Sequence, residues 1–253
     1  MNYGLNWGDP MILDHYSFTC PGGRSVNEDS IGSTVHFDKS LFVVADGLGG
    51  HKDGELASKC VVDTLLREHE SLHADDRRTW LMDALASANS YILKLQQDMK
   101  SIMKSTAVVL CVDNDMACWA HVGDSRLYFI HDRRIEHITA DHSVAYKKYA
   151  AGEISRYEIN TDEDQATLLR SLGSPDRNEA SICTEPVRLS VNDAFLLCSD
   201  GVWEYLHDEE VLIDYLKAGD AKDWGEKLLL RVIDRVDGTN DNLSLITVMA
   251  GQV

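Results

Sequence analysis

Paired cysteines, basic residues and long apolar runs are scarce in this chain, and each shortage removes a class of function. The six cysteines (Cys20, Cys60, Cys111, Cys118, Cys183 and Cys198) are scattered through mostly apolar stretches with no Cys-x-x-Cys pair. They read as buried free thiols rather than as a disulfide frame or a zinc site. Lys and Arg number 24 against 42 Asp and Glu, for a net charge of −18; a nucleic-acid partner needs clustered cations, so none is expected. No stretch nears the roughly 18 consecutive apolar residues of a membrane span, and the N-terminus lacks a basic-then-apolar leader pattern. The expectation is a cytoplasmic protein with no membrane contact. The four prolines are dispersed, and no repeat, low-complexity tract or linker interrupts the sequence. Residues 1–253 are therefore expected to form one domain, with a monomer as the default state. None of the histidines has a metal-ligand spacing such as His-Glu-x-x-His.

Against these absences stands one pattern, four aspartates at the ends of apolar runs. The clearest is Leu41-Phe-Val-Val-Ala-Asp46-Gly47, a short β-branched run that stops at a carboxylate and a glycine cluster. Asp124 follows Cys118-Trp-Ala-His-Val-Gly123, Asp200 follows Ala194-Phe-Leu-Leu-Cys-Ser199, and Asp241 precedes Leu243-Ser-Leu-Ile-Thr-Val248. Each alone reads as a turn or a helix cap. Together they describe one acidic cluster, whose repulsion and lost hydration a divalent cation relieves. Oxygen-only donors suit magnesium or manganese.

Periodicity supplies the frame. Strand patterns cover His15–Thr19, Ser30–Phe37, Leu41–Asp46, Thr106–Val112, Cys118–Val122, Arg126–Ile130, Ile182–Leu189, Asp193–Cys198 and Leu243–Met249, with residues 1–14 irregular. Helical stripes cover Gly54–Glu68, Leu81–Leu95, Glu209–Leu216 and Trp224–Val236. Between about Asp141 and Leu172 the chain turns polar and mixed, as a short-helix insertion over the surface would. This order is α+β: two antiparallel sheets face to face with helix pairs outside.

Taken in order and spacing, Arg24-x-x-Asn27-Glu28-Asp29, Asp46-Gly47-Leu-Gly-Gly-His51, Ser105-Thr-Ala, Gly123-Asp124-Ser125-Arg126, Thr139-Ala-Asp141-His142-Ser143, Ser199-Asp200-Gly201 and Asp241-Asn242 resemble the type 2C family of metal-dependent serine/threonine protein phosphatases in its compact bacterial form. The resemblance spans roughly residues 15–250 and implies a central antiparallel β-sandwich flanked by pairs of helices, with a flap at about 143–170. It implies two or three divalent cations, manganese or magnesium. Asp46 would bridge two of them and the Gly47 carbonyl would add a ligand. Asp200 and Asp241 would complete one shell, and Glu28, with Asp29 behind it, would hold waters on the other ion. Asp124, with Asp200, would bind a third, weaker ion, and Arg24 would grip the substrate phosphate.

The implied reaction is attack on phosphoserine or phosphothreonine by a water or hydroxide shared between two cations. Its implied partners are phosphorylated proteins and a bacterial serine/threonine kinase whose work it opposes. Small-molecule phosphoesters and a binding-only role for the same fold stay open at this point. Animal members carry a histidine directly after the Asp-Gly pair, where this chain has Leu48. His51, three residues on, reads as a loop or packing histidine. His51→Ala is expected to leave most turnover intact in steady-state assays; loss of a true acid catalyst would cost about a thousandfold.

Overall fold

The computed structural model describes residues 11–36, 38–49, 53–70 and 77–252. In chain order its elements are β1 (Met11–Cys20), β2 (Asp29–Val35), β3 (Lys39–Gly49), α1 (Asp53–His69), α2 (Arg77–Met99), β4 (Met103–Ser105), β5 (Ala107–Asp113), β6 (Met116–Val122), β7 (Arg126–His131), β8 (Arg134–Ile138), α3 (Val144–Ala150), a 3₁₀ turn (Tyr157–Thr161), β9 (Ser181–Ile182), β10 (Val187–Arg188), β11 (Ala194–Cys198), α4 (Asp200–Trp203), α5 (Asp208–Lys217), α6 (Ala221–Arg235) and β12 (Leu243–Gln252).

One sheet runs β1-β12-β11-β7-β8. The other runs β10-β6-β5-β3-β2, with β4 joined to β3 and β9 to β6. All the pairings are antiparallel. The apolar runs are buried on both faces because each sheet is covered twice. Leu127, Phe129, Phe195, Leu197, Ile246 and Val248 join the core that fills the space between the sheets. Their neighbours Tyr128, Ile130, Leu196, Cys198 and Leu245 point the other way, onto Trp203, Trp224 and Leu228. That is the two-residue alternation of a strand. α1 lies on β2 and β3 with α2 beside it, while α6 lies on β1 and β12 with α5 beside it. The α+β sandwich flanked by helix pairs is therefore present. Among the described residues no helix is long and apolar enough to cross a membrane.

Several elements differ from expectation for identifiable reasons. β1 begins at Met11, inside the stretch expected to be irregular, because β12 pairs with it from Met11↔Gln252 to Cys20↔Leu243. The strand expected over 182–189 is split into β9 and β10, which both pair with β6; Pro186, lying between them, has no N–H to give a ladder. β8 was not foreseen. Its two-residue hairpin turn places Asp132 and Arg133 at φ of 50° and 62°, the geometry of a type I′ turn without its usual Asn-Gly signature. β3 runs past Asp46 to Gly49, held by β4.

The insertion carries α3, capped by the Ser143 hydroxyl on the Tyr146 amide, and the 3₁₀ turn. Side-chain bonds fasten it to the α4–α5 region. Asn160 Nδ2 donates to the carbonyls of Trp203, Glu204 and Leu206 at 3.3, 3.0 and 3.4 Å, and Arg156 pairs with Asp208 at 3.0 Å.

Phe195 stacks on Phe129 with ring centroids 4.8 Å apart and faces Trp119 of the opposite sheet at 6.1 Å. Phe195→Ala should therefore lower stability by about 3–5 kcal/mol. The measurement is urea unfolding, in which the midpoint should fall with little change in slope.

Candidate active site and metal centre

Strand register brings the first two acids together: Asp29 on β2 lies directly opposite Asp46 on β3. β11 and β12 are neighbours. Asp200, the first residue of α4 just after β11, and Asp241, just before β12, thus arrive at the same end of the sandwich. That end opens as a cleft of about 650 Å³ whose wall includes Arg24, Glu28, Asp46, Asp124, Asp200 and Asp241. Gly47 and Leu48 lie on it too, as do Ala166 and Leu168 of the insertion. Asp29 is buried behind the wall, and its Oδ2 accepts from the Ser199 hydroxyl at 2.8 Å.

Neutral donors hold the acids in place. The Asp46 amide donates to Thr106 Oγ1 at 2.9 Å, the Thr106 amide returns to the Asp46 carbonyl at 2.8 Å, and Thr106 Oγ1 meets Ser125 Oγ at 2.7 Å. The Gly201 amide donates to Asp200 Oδ1 at 2.6 Å, and the Asn242 amide to Asp241 Oδ1 at 2.8 Å. Asn242 also fastens the loop that carries Arg24. Its Oδ1 accepts from the Glu28 amide at 2.8 Å, and its Nδ2 donates to the carbonyls of Pro21 and Val26, both at 2.9 Å. Arg24 Nη2 reaches Asp241 Oδ2 at 2.8 Å while the arginine side chain stays 57% exposed.

Two glycines let the chain approach itself here. A Cβ on Gly47 would lie 2.0 Å from the Gly54 carbonyl oxygen, and one on Gly54 would lie 2.7 Å from the Gly47 oxygen and 2.8 Å from Glu28 Oε1. Below Asp124, Arg126 forms a buried two-pronged pair with Asp141 at 2.9 and 2.7 Å and lies 3.4 Å from the centre of the Trp203 ring. Trp203 Nε1 donates to the Asp124 carbonyl at 2.9 Å. Gly123-Asp124-Ser125-Arg126 thus places an arginine on a buried acid and, two residues before it, an aspartate on the cleft wall.

The profile of the protein phosphatase 2C family matches residues 22–220. The chain belongs to this family. Phosphatase 2C relatives include the serine/threonine phosphatase stp of Listeria innocua, 31% identical in a 206-residue alignment that covers 78% of this chain and 81% of that protein. The protein phosphatase PhpP of Streptococcus pneumoniae is 29% identical, covering 74% of this chain and 78% of its own length. The crystal structure of Stp1 from Staphylococcus aureus superposes with a TM-score of 0.84 at 31% identity, over 94% of this chain and 95% of that one.

The phosphatase 2C family is metal-dependent, and the donors here fit divalent cations. All are oxygens, and Glu28 Oε1 is buried with no hydrogen-bond partner. Among the described residues no three His, Cys, Asp or Glu side chains are arranged to enclose an ion by themselves. An ion at this cleft would keep part of its water, as magnesium does.

Electrostatics give the same picture. Burial, then Asp200, holds the Asp46 carboxyl well above its ordinary range. Burial, then Asp200 and Asp141, does the same to Asp124. Burial followed by Asp241 pushes Asp200 up to about 6, and burial pushes Asp29 up to about 7 and raises Glu28. Sequence reasoning missed Glu204, which Gln165 of the insertion contacts and which burial, then Asp200, pushes up to about 8. It also missed Trp203 as a support for Asp124, since a tryptophan in an apolar stretch carries no sign of that bond. His51 lies outside the described residues.

In the metal-free chain, carboxyls raised from 3.8 toward 6 and 7 bind more protons folded than unfolded. Their contribution is fully present below about 3.8 and fades as pH rises through 6–7. Glu210, held down to about 2 by Arg235, acts in the opposite sense below its ordinary 4.5, and His69 and His142, lowered by burial to about 4 and about 3, do so up to about 6.5. The carboxylate contribution is therefore read as a difference: in chelator, the thermal stability of Asp46→Asn relative to the unaltered chain should grow as pH climbs from about 5 to 7. Melting curves of both proteins across this range decide; a difference that shrinks with pH would contradict the repulsion described here.

Proposed function

We infer that this chain hydrolyses phosphoserine and phosphothreonine in proteins by direct transfer of the phosphoryl group to water. The observation that carries this reading is the cleft itself, where five carboxylates and one guanidinium share a wall that, among the described residues, includes no cysteine or histidine. Among those residues a covalent phosphocysteine or phosphohistidine route has no nucleophile. The names of the relatives from Listeria innocua and Staphylococcus aureus, both serine/threonine phosphatases, support the same substrate class.

Asp46, the Gly47 carbonyl, Asp200 and Asp241 would hold two divalent cations, magnesium or manganese. Glu28, backed by Asp29, would hold water beside them, and Asp124 with Asp200 would serve a third. When bound, such cations activate water as a nucleophile and neutralise phosphoryl charge. Arg24 sits at the exposed rim, where its forked donors can take phosphate oxygens in a way a lysine cannot. Asn242 sets the position of that arginine by bonding its loop at three backbone points. Leu48, on the cleft wall, has no proton to give, so the leaving serine or threonine oxygen takes its proton from water. Ala166 and Leu168 border the cleft from the insertion, which makes residues 143–170 the part of the wall that meets the polypeptide around the phosphate. The expected partners are a serine/threonine kinase and its targets, with the phosphatase acting as a monomer in the cytoplasm.

The deciding assay is hydrolysis of a phosphothreonine peptide with manganese, with magnesium and with chelator. Activity should require the cation and fall about a hundredfold or more in Asp200→Asn, on the scale of losing an electrostatic clamp on the reacting group. Arg24→Ala should raise KM about 10- to 100-fold, the size of one charged hydrogen bond lost to the phosphate. A folded, cation-binding protein inert toward several phosphopeptides would overturn the catalytic reading in favour of a binding-only role.

A further inference from the structure

Outside the lining of the acidic cleft, three thiols line up across the second sheet. Cys111 on β5 faces Cys118 on β6 in register. On the other side of β6, Cys183 follows β9, and its Sγ lies 2.9 Å from Cys118 Sγ. The Cys183 amide donates to the Trp119 carbonyl at 2.9 Å, which fixes the loop against β6. Among the described residues no three His, Cys, Asp or Glu side chains, these thiols included, are grouped to hold a metal ion.

The two sulfurs in contact are unlike in access and in chemistry. Cys118 is fully buried, whereas Cys183 is 7% exposed and lies on the wall of a cavity of about 330 Å³ beside Trp119, His137 and Thr184. With Cys118 as donor of the bond the two share, the Cys183 thiol is held below its ordinary range, while the same bond and burial raise Cys118. The thiolate is the reactive form, and Cys183, on the cavity wall, is the one of the two that an oxidant reaches. Burial pushes Cys111 up to about 12 and raises Cys198 and Cys60, which leaves those three inert by comparison.

We propose that Cys118 and Cys183 form a dithiol that a hydroperoxide oxidises to an intrachain disulfide joining β6 to the loop after β9. In the first step the Cys183 thiolate attacks one peroxide oxygen and the O–O bond breaks. With hydrogen peroxide one oxygen stays on sulfur, making Cys183 a sulfenic acid, and the other leaves as hydroxide, which takes up a proton and departs as water. In the second step the Cys118 sulfur attacks the Cys183 sulfur and expels hydroxide, which carries away the Cys118 proton as a second water. Two electrons pass from the two thiols to the peroxide, and a dithiol reductant reverses the bond. The crosslink would clamp β9, whose Ser181 hydroxyl bonds His142 Nε2 at 2.9 Å, while His142 Nδ1 accepts from the Gly123 amide at 3.2 Å.

The test is peptide mapping of the full chain after hydrogen peroxide treatment and alkylation under non-reducing conditions. The unaltered protein should lose two of its six thiols and yield a Cys118–Cys183 linked peptide that disappears with dithiothreitol. In Cys118→Ala, dimedone should label Cys183; in Cys183→Ala, Cys118 should stay reduced. Linkage through Cys111, Cys20 or Cys60, first modification of any thiol other than Cys183, or an unchanged thiol count in excess peroxide would overturn the proposal. Because mapping of the unaltered chain stands without the variants and reads no turnover, its outcome is independent of whether the cleft hydrolyses phosphopeptides.

Discussion

The repulsion among carboxylates at one end of the sandwich is the constraint that the surrounding structure answers. Asp46, Asp124, Asp200, Asp241 and Glu28 share one cleft wall, and two like charges a few ångströms apart in a poorly hydrated site cannot both ionise cheaply. A fold selected for stability alone would place cations among them or replace them with apolar side chains. Here the guanidinium at the cleft is Arg24, at its exposed rim. Arg126, which lies close by, is spent on Asp141 beneath the floor.

The scaffold compensates with groups that orient without neutralising. Hydroxyls of Thr106, Ser125 and Ser199 and the amides of Gly201 and Asn242 occupy one lone pair or one backbone position each. They leave the charge of the cluster available to whatever binds it. Gly47 and Gly54 do the same sterically, since side chains there would collide with the opposing backbone. The acids sit within β3, at the start of α4, or within two residues of a strand end, rather than on long loops.

Much of this was legible in the sequence because strong local patterns and the site coincide. Asp46 and Asp200 stand where β-branched or apolar runs stop, and Asp241 where one begins; a run buried on both faces is conspicuous in a single chain. What was illegible depended on partners distant in sequence. β1 begins at Met11 only because β12 is long enough to pair with it, and β8 rests on a turn with Asp132 and Arg133 in left-handed conformations that their identities do not announce. Nothing in the sequence marks Glu204: Asp200 lies one helical turn before it, and the meeting of α4 with the insertion adds Gln165. The continuous strand expected over 182–189 failed for a readable reason, Pro186, whose missing N–H should have argued against it.

The pairing of β1 with β12 has a consequence for how the protein comes into being. Asp241 and Asn242 precede the last strand, yet Asn242 organises the loop from Pro21 to Glu28, more than 200 residues earlier. Contacts of such sequence separation form late, because a long loop must close before they contribute. Asp29 and Asp46 can pair locally through β2 and β3, but the arginine loop has nothing to fasten it until Asn242 and β12 are made. A chain cut before Asp241 would keep the first acids and lack both Asp241 and the side chain that fixes the arginine loop.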